Sequence, residues 1–274
     1  MRKIAIALLA LGLVVATTAY ASNPVRISQV YGSGGNYYRC DYVELFNNSG
    51  APVDIGGWSI QYGSATGSSF GSSTYNYALI PAGAVIPACG YYLISGYCSS
   101  SAGADLPVIP DLRIPTSPPL WQFNFSSSSG KVALFSDQVF NRTCAQAQAV
   151  AVDLVGYGAA NCYETEPAPT SDALSVLVRS GGGAADTDDN SHDFTLLTQP
   201  VTIHNSQSAR NPDCVVAVGA CCLQPLPDGC VMVSRAQCAA VGGVYLGDWV
   251  PCIPDPCATP AHRTTWGRVK TIYR

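Results

Sequence analysis

Residues 41–47 read Asp-Tyr-Val-Glu-Leu-Phe-Asn, and residues 58–62 read Trp-Ser-Ile-Gln-Tyr. In both stretches the side chains alternate between two faces with a period of two, which is typical of a half-buried β-strand. The residues between them, 48–57, are rich in the turn formers Gly, Pro, Asn and Asp. We therefore predict that the two stretches form paired strands, and that this pair sets the sheet register for the chain that follows.

Strand patterns continue downstream. Further strands are predicted near residues 75–80, 91–95, 131–136, 150–157 and 174–179, between loops rich in Ser, Gly and Pro at 63–73 and 99–129. No long amphipathic helix pattern occurs, so the sequence indicates an all-β sandwich or barrel. Trp58 shares a predicted strand face with Ile60 and Tyr62, and we expect it to anchor the core.

A collinear set of segments forms a recognisable pattern. It consists of Val-Arg-Ile-Ser-Gln-Val-Tyr-Gly (25–32), the stretch at 41–47, Val-Asp-Ile-Gly-Gly-Trp-Ser-Ile-Gln-Tyr (53–62), Pro-Ala-Gly (81–83), Gly-Tyr-Tyr-Leu-Ile (90–94), Gly-Lys-Val-Ala-Leu (130–134), Val-Asp-Leu-Val-Gly-Tyr-Gly (152–158), and Asp-Thr-Asp-Asp-Asn (186–190) before Asp193 and Phe194. Over roughly residues 24–212 the chain thus resembles a bacterial lamin-tail domain. The resemblance implies an immunoglobulin-like β-sandwich and no established reaction, and a shared fold does not fix function.

The first 21 residues have the features of a signal peptide. A basic start at Arg2 and Lys3 precedes an apolar run at 4–16, which is too short to span a bilayer. Ala19 and Ala21 provide the small residues that a signal peptidase reads, so we predict cleavage after Ala21 and a location outside the cell or in its envelope. No later stretch is long and apolar enough to cross a membrane, so the processed chain is not expected to be an integral membrane protein.

Composition supports export and argues against one class of partner. Twelve cysteines in a chain with 12% charged residues are typical of an oxidising compartment. Loss of Arg2 and Lys3 with the leader takes 14 basic residues to 12 against 18 acidic ones, so the net charge falls from -4 to -6. We therefore expect no nucleic-acid partner, because phosphate binding needs clustered Lys and Arg.

The predicted domains are a signal peptide (1–21), a β-sandwich (22–212), a disulfide-stapled Cys-rich module (213–257) and a basic tail (258–274). The tail carries four basic residues and no acidic one. As a helix it would align Trp266 and Tyr273 on one stripe, with Arg268 and Lys270 off that stripe. Together with Arg274, these residues suggest an address for an anionic surface or a sorting receptor, and the alternative is a solvated terminus.

The cysteines are interpreted as disulfides. No Cys-x-x-Cys occurs, so the spacings oppose a zinc site. We predict Cys144–Cys162 around the strand at 150–157, and Cys89–Cys98 around the strand at 91–95, which leaves Cys40–Cys214 by parity. Six more cysteines can close three bridges inside the module, in any of fifteen connectivities: Cys221, Cys222, Cys230, Cys238, Cys252 and Cys257.

Two common catalytic motifs are missing from the sequence. There is no His-Glu-x-x-His and no Gly-x-x-x-x-Gly-Lys. His192, His204 and His262 are spread along loops without partner spacing, so no catalytic role is assigned to them. Glu44 is interpreted either as an acid facing a cleft, or as a residue that is solvated or paired with a basic side chain.

The best candidate ligand site is the acidic loop at 186–193. Asp186, Asp188, Asn190 and Asp193 offer oxygens of the kind that calcium prefers. The alternative is a polar turn whose side chains cap their own backbone. No cofactor other than calcium is predicted.

The sequence favours a non-catalytic protein for recognition, adhesion or assembly, with an extracellular protein or glycan as its ligand. Tyr37, Tyr38, Tyr91 and Tyr92 offer aromatic side chains for such a contact, or for the core. The alternative function is a calcium-dependent extracellular hydrolase of phosphodiesters or glycans that uses Glu44 and the loop at 186–193.

Overall fold

The computed structural model describes residues 23–33, 37–73, 75–98, 103–114, 123–212, 214, 218–223, 229–247, 250–253 and 256–257. Its strands are β1 (Val25–Tyr31), β2 (Cys40–Asn47), β3 (Val53–Asp54), β4 (Ser59–Ser64), β5 (Ser69–Phe70), β6 (Tyr77–Leu79), β7 (Val85–Ile86), β8 (Tyr91–Cys98), β9 (Leu112–Arg113), β10 (Gly130–Phe135), β11 (Arg142–Thr143), β12 (Asp153–Tyr157), β13 (Ser175–Arg179), β14 (Phe194–Thr198), β15 (Gly219–Cys222), β16 (Cys230–Val233) and β17 (Val244–Tyr245). The helices are α1 (Cys144–Val150), α2 (Asn190–Asp193) and α3 (Arg235–Ala240), with a 3-10 turn at Gly181–Gly183.

Several predicted features lie outside these residues. They are the signal peptide (1–21) with Ala19 and Ala21, and the basic tail (258–274) with Trp266, Arg268, Lys270, Tyr273 and Arg274. In the part of the chain that is described, no helix has the length and apolar character needed to cross a membrane.

Two larger sheets form a sandwich. One contains six strands in the order β14-β13-β1-β2-β8-β9, and the other contains four in the order β12-β10-β4-β6. Val43 and Leu45 of β2 meet Ile60 of β4 and Val132 of β10 in one buried core between the sheets. The predicted all-β, immunoglobulin-like sandwich is confirmed.

The predicted pairing of the two opening strands is wrong. β2 pairs with β1 and β8, whereas β4 pairs with β6 and β10 in the opposite sheet. The turn-rich residues between them carry the chain across the sandwich, so the two strands face each other through the core. The alternation of side chains indicates which side of each strand faces the core. It is the same for two strands that pair within one sheet and for two strands that face each other from opposite sheets.

β2 has no solvent-facing side. All eight of its residues are buried, because the outer face of the six-stranded sheet carries a second apolar layer. Tyr42 of β2 and Leu93 of β8 pack there against Ile203, with Val108 and Val201 beside them. The irregular segments that contribute Val108, Val201 and Ile203 therefore cover this face.

The aromatic residues predicted as possible contact surface contribute to the fold instead. Tyr38, Tyr91 and Tyr92 are buried, at 6%, 3% and 5% exposure, and Tyr37 packs partly buried against the second apolar layer. Trp58 is only partly buried against the main core and precedes β4 rather than lying within it.

Two of the predicted disulfides have different partners in the structure. Cys144–Cys162 forms as predicted, but Cys40 pairs with Cys98, and Cys89 pairs with Cys214. Cys40 and Cys98 are register partners on the paired strands β2 and β8, a relation that spacing along the chain does not reveal. Asn211 donates its backbone N–H to the Cys89 carbonyl at 2.9 Å, which brings Cys214 to Cys89.

The Cys-rich region contains a small sheet of its own, in the order β16-β15-β17, with α3 beside it. The Ser234 hydroxyl and the Gln237 side chain form a capping box at the start of α3. Three bridges close within this region: Cys221–Cys238, Cys222–Cys257 and Cys230–Cys252. Such bridges replace the hydrophobic core that so short a segment cannot build.

Candidate functional site

Glu44 lies in the middle of β2 with 1% of its surface exposed. The Ser28 hydroxyl donates to Glu44 Oε1 at 2.7 Å, and the His204 backbone N–H donates to Oε2 at 2.6 Å. The His204 ring places Nδ1 3.2 Å from the same Oε2. Glu44 is buried, so a position on the solvated face is wrong. Its carboxylate pairs with the His204 side chain and also lines a pocket, as expected of an acid that faces a cleft.

A β-bulge aims Ser28 at this carboxylate. In the β1–β2 ladder Ile27 faces Leu45 and Gln29 faces Glu44, which leaves Ser28 as an extra residue in β1. Its hydroxyl also donates to the Glu44 carbonyl at 3.1 Å. The sequence gives no sign of this bulge.

A pocket of about 200 Å³ opens beside Glu44 on the outer face of the sheet. Val178, Leu197 and Val201 provide apolar walls, and the His204 ring stacks on Tyr91 with 4.2 Å between ring centroids. Gly183, with φ of +101°, forms another wall, where an added Cβ would lie 2.8 Å from the Phe46 Cβ. A carboxylate that bonds Nδ1 of a histidine fixes the ring for proton transfer or metal ligation.

The second charged centre is Arg179 of β13, which is fully buried. Its Nη2 donates to both oxygens of Asp153 at 2.8 Å, and its Nη1 lies 3.2 Å from Asp193 and 3.4 Å from Asp186. Its Nε donates to the Ile27 carbonyl at 2.8 Å. Arg179 thereby joins β1 and β13 of one sheet to β12 of the other.

The four residues predicted to bind calcium are not brought together. Asp193 is buried and accepts from Arg179 and from the Thr187 backbone N–H, while Asp186 pairs with Arg26 and Arg179. Asp188 is exposed, and its backbone carbonyl accepts from the Thr165 hydroxyl. The Arg179 guanidinium, which belongs to β13, pairs with the carboxylates of both Asp186 and Asp193. Two of the four predicted calcium ligands are therefore ion-pair partners of an arginine.

Asn190, the fourth predicted ligand, is fully buried and serves the sheet. Its side-chain oxygen accepts from the Gly156 N–H at 2.9 Å, and its amide donates to the Leu154 carbonyl at 2.9 Å. It therefore bonds β12 much as a neighbouring strand would. Asp189 caps α2 through the Ser191 N–H, which agrees with the predicted alternative of a self-capping turn.

Different carboxylates come together here. Within the described residues, Asp153, Glu164 and Asp186 have oxygens within 4.8 Å of one another. Burial, and next the charge of Asp153, raise the pKa of Glu164 to about 8. Asp153 and Glu164 were not among the predicted ligands, because the former lies inside a strand and the latter 22 residues before Asp186.

The raised pKa of Glu164 predicts a pH-dependent stability. The folded pKa of about 8 exceeds the usual 4.5, so the folded state holds a proton that the unfolded state has released. The free energy of unfolding should therefore fall as the pH rises towards 8. The Glu164→Gln variant should lose this slope between about pH 6 and pH 8, because burial also raises the pKa of Asp41, to about 6, and the slope from Asp41 lies below that pH. Urea denaturation at a series of pH values measures it, with the exposed Glu166→Gln as the matched control. Equal slopes in the wild type and Glu164→Gln would contradict the prediction.

The fold defines an immunoglobulin-like β-sandwich protein with disulfide cross-links. The family model of the Lamin Tail Domain matches residues 18–158, slightly more than half of the chain. The chain belongs to the lamin tail domain family. The match ends just after β12, so β13, β14 and the Cys-rich region lie beyond it.

One solved structure is similar to this chain over part of its length. It is a DUF4876 family protein from Bacteroides thetaiotaomicron VPI-5482, with 12% sequence identity, a TM-score of 0.43, and coverage of 71% of this chain and 74% of that one. No curated protein matches the sequence.

Proposed function

We propose that this chain is a secreted, non-catalytic protein that recognises an extracellular protein or glycan, in adhesion or assembly. The proposal rests on one observation, which is that the candidate catalytic side chains form hydrogen bonds and ion pairs with other groups of the fold. Glu44 is buried and accepts from Ser28 and His204, and Asp186 and Asp193 pair with Arg179. Carboxylates that are held by such partners belong to the scaffold, which supports a non-catalytic role.

The cross-links support a role outside the cell. Six disulfides join the cysteines of the described chain, and none of these cysteines is free. Disulfides persist in oxidising compartments and are rare in the cytosol. The acidic net charge agrees with a partner that is not a nucleic acid.

A binding screen tests this function. The chain from residue 22 onward, with its disulfides formed, is applied to arrays of glycans and of extracellular proteins, with calcium or with a chelator. Saturable binding of one ligand class, without chemical change of the ligand, is expected. Turnover of an arrayed ligand would contradict the proposal, and loss of binding in chelator would show that the binding requires a divalent cation.

One observation favours the hydrolase as a second candidate. Glu44 and His204 form a carboxylate–imidazole pair beside the pocket on the outer face of the sheet. Generic phosphodiester and glycan substrates test it, with and without calcium. A hydrolase that acts through this pair would lose its turnover in His204→Asn, because the His204 ring lies 3.2 Å from Glu44 Oε2. The absence of turnover in the wild type would leave recognition as the function.

The basic tail is predicted to determine the cellular location of the protein. We expect that deletion of residues 260–274 leaves the melting temperature unchanged and alters the distribution of the protein among medium, envelope and cell fractions. The reason is that the tail follows Cys257, the last bridged residue, and places its four positive charges on an acidic protein. Replacing Arg268 and Lys270 with glutamine separates an electrostatic address from tail length. An unchanged distribution after the deletion would indicate a solvated terminus only.

A further inference from the structure

The sandwich has one long strand with an open edge among the described residues. β9 and β6, at the margins of the two sheets, have only two and three residues. β12 is covered, since Asn190 bonds Leu154 and Gly156, and Ala168 exchanges backbone bonds with Gly156 and Gly158. β14 has five residues and pairs with β13 on one side, and no other described strand lies on its second side.

The sequence of β14 lacks the usual protection of an edge. Natural edge strands carry charges, prolines or bulges that prevent pairing with another chain. β14 reads Phe-Thr-Leu-Leu-Thr, without charge, and its register with β13 is continuous. Leu196 and Leu197 are 38% and 44% exposed.

The backbone hydrogen bonds between β13 and β14 determine which residues of β14 direct their N–H and carbonyl groups to the open side. The Ser180 N–H donates to the Asp193 carbonyl, and the Gln199 N–H donates to the Leu174 carbonyl. Residues 193, 195, 197 and 199 therefore face β13, and the backbone groups of 194, 196 and 198 point away from it. The outward N–H of Phe194 is taken by the Asn190 carbonyl, while its carbonyl points to the open side.

We propose that β14 pairs antiparallel with β14 of a second copy of this chain, about a two-fold axis at Leu196. Leu196 then exchanges both backbone bonds with its own copy, and each Thr198 N–H donates to the Phe194 carbonyl opposite. Every outward residue faces an outward residue, because 194, 196 and 198 are symmetric about 196. Pro200 has no N–H, so the ladder ends at Thr198.

The side chains agree with a self-pairing. Leu196 lies directly opposite Leu196 of the second copy, and cross-strand apolar pairs of this kind stabilise a sheet. The absence of charge in β14 means that two copies bring no like charges together along the ladder. The two sheets merge into one sheet of twelve strands, and the inference does not depend on which external ligand the chain recognises.

The interface is small, so the dimer forms at high protein concentration. Sedimentation equilibrium of the chain from residue 22 onward, over a wide concentration range, should show an average mass that rises from monomer towards dimer. Leu196→Lys should abolish the rise, since it sets two positive charges opposite each other. Leu79→Lys is the matched control, because Leu79 is 42% exposed on a strand at the edge of the other sheet.

Amide exchange tests the proposal without a mutation. The Leu196 and Thr198 amides should exchange quickly in dilute protein and slowly in concentrated protein, while the Thr195 and Leu197 amides, which face β13, stay protected in both. A wild type that is monomeric at all concentrations would overturn the proposal. A dimer that persists in a folded Leu196→Lys variant, or that leaves the Leu196 amide in rapid exchange, would place the interface elsewhere and equally overturn it.

Discussion

Replacing Arg179 with methionine should lower the free energy of unfolding by about 3–5 kcal/mol, since it leaves buried carboxylates without their cation. Asp153 and Asp193 are 4% and 0% exposed, and both bond the Arg179 guanidinium. Methionine fills much of the same space, so the loss arises from charge rather than from a cavity. Urea denaturation at neutral pH, followed by circular dichroism, measures the change.

Arg26→Met is the matched control for this experiment. Arg26 makes one ion pair, to Asp186 at 2.7 Å, at the margin of the same cluster, and Asp186 keeps Arg179 as a partner. The expected loss is about 1 kcal/mol or less, because partly exposed pairs contribute little. The double variant Arg179→Met with Asp153→Asn should recover part of the lost stability. Equal losses in Arg179→Met and Arg26→Met would contradict the prediction that the carboxylates around Arg179 depend on its charge.

The second large effect is expected for the bridge that joins Cys89 to Cys214. Its sequence separation of 125 closes a very long loop, and chain-entropy arguments give about 5 kcal/mol for a loop of this length. Replacing both cysteines with alanine removes the bridge without burying hydroxyl groups. Denaturation under non-reducing conditions measures the loss.

Removal of the shorter Cys144–Cys162 bridge provides the comparison. Its separation of 18 predicts a loss of about 3 kcal/mol for the corresponding alanine pair. Each bridge has at least one cysteine in the described sandwich, and the two differ most in the length of the loop that they close. A larger loss for the shorter bridge would contradict the entropic explanation.

The strand patterns of the sequence predicted the fold class and missed the partners. Val43, Leu45 and Ile60 all point into the core, as their alternation indicates. The choice between pairing and facing depends on how the chain crosses between the sheets, and side-chain periodicity is the same in both cases. The exchange of partners between Cys40 and Cys89 has the same origin, because it follows from strand register and not from spacing.

Less of the candidate site than of the fold could be predicted from the sequence. Glu44 was singled out, but its partner His204 lies 160 residues away and in an irregular segment. Asp186 and Asp193 were singled out as well, yet the residue that decides their role is Arg179, which lies in a strand among apolar neighbours. An arginine in a buried strand is itself a signal, since such a charge needs carboxylate partners nearby.

Because β1 lies in the middle of its sheet, its second neighbour becomes available only late in synthesis. β1 is the first strand of the described residues, but it lies inside the six-stranded sheet, where Gln29 and Val30 pair with Val178 and Leu177. During synthesis from the amino end, β2 follows at once, whereas β13 arrives after some 140 further residues. One side of β1 therefore stays unpaired while most of the chain is being made. A fragment that ends before Ser175 leaves that side of β1 open to pairing with any other unpaired strand.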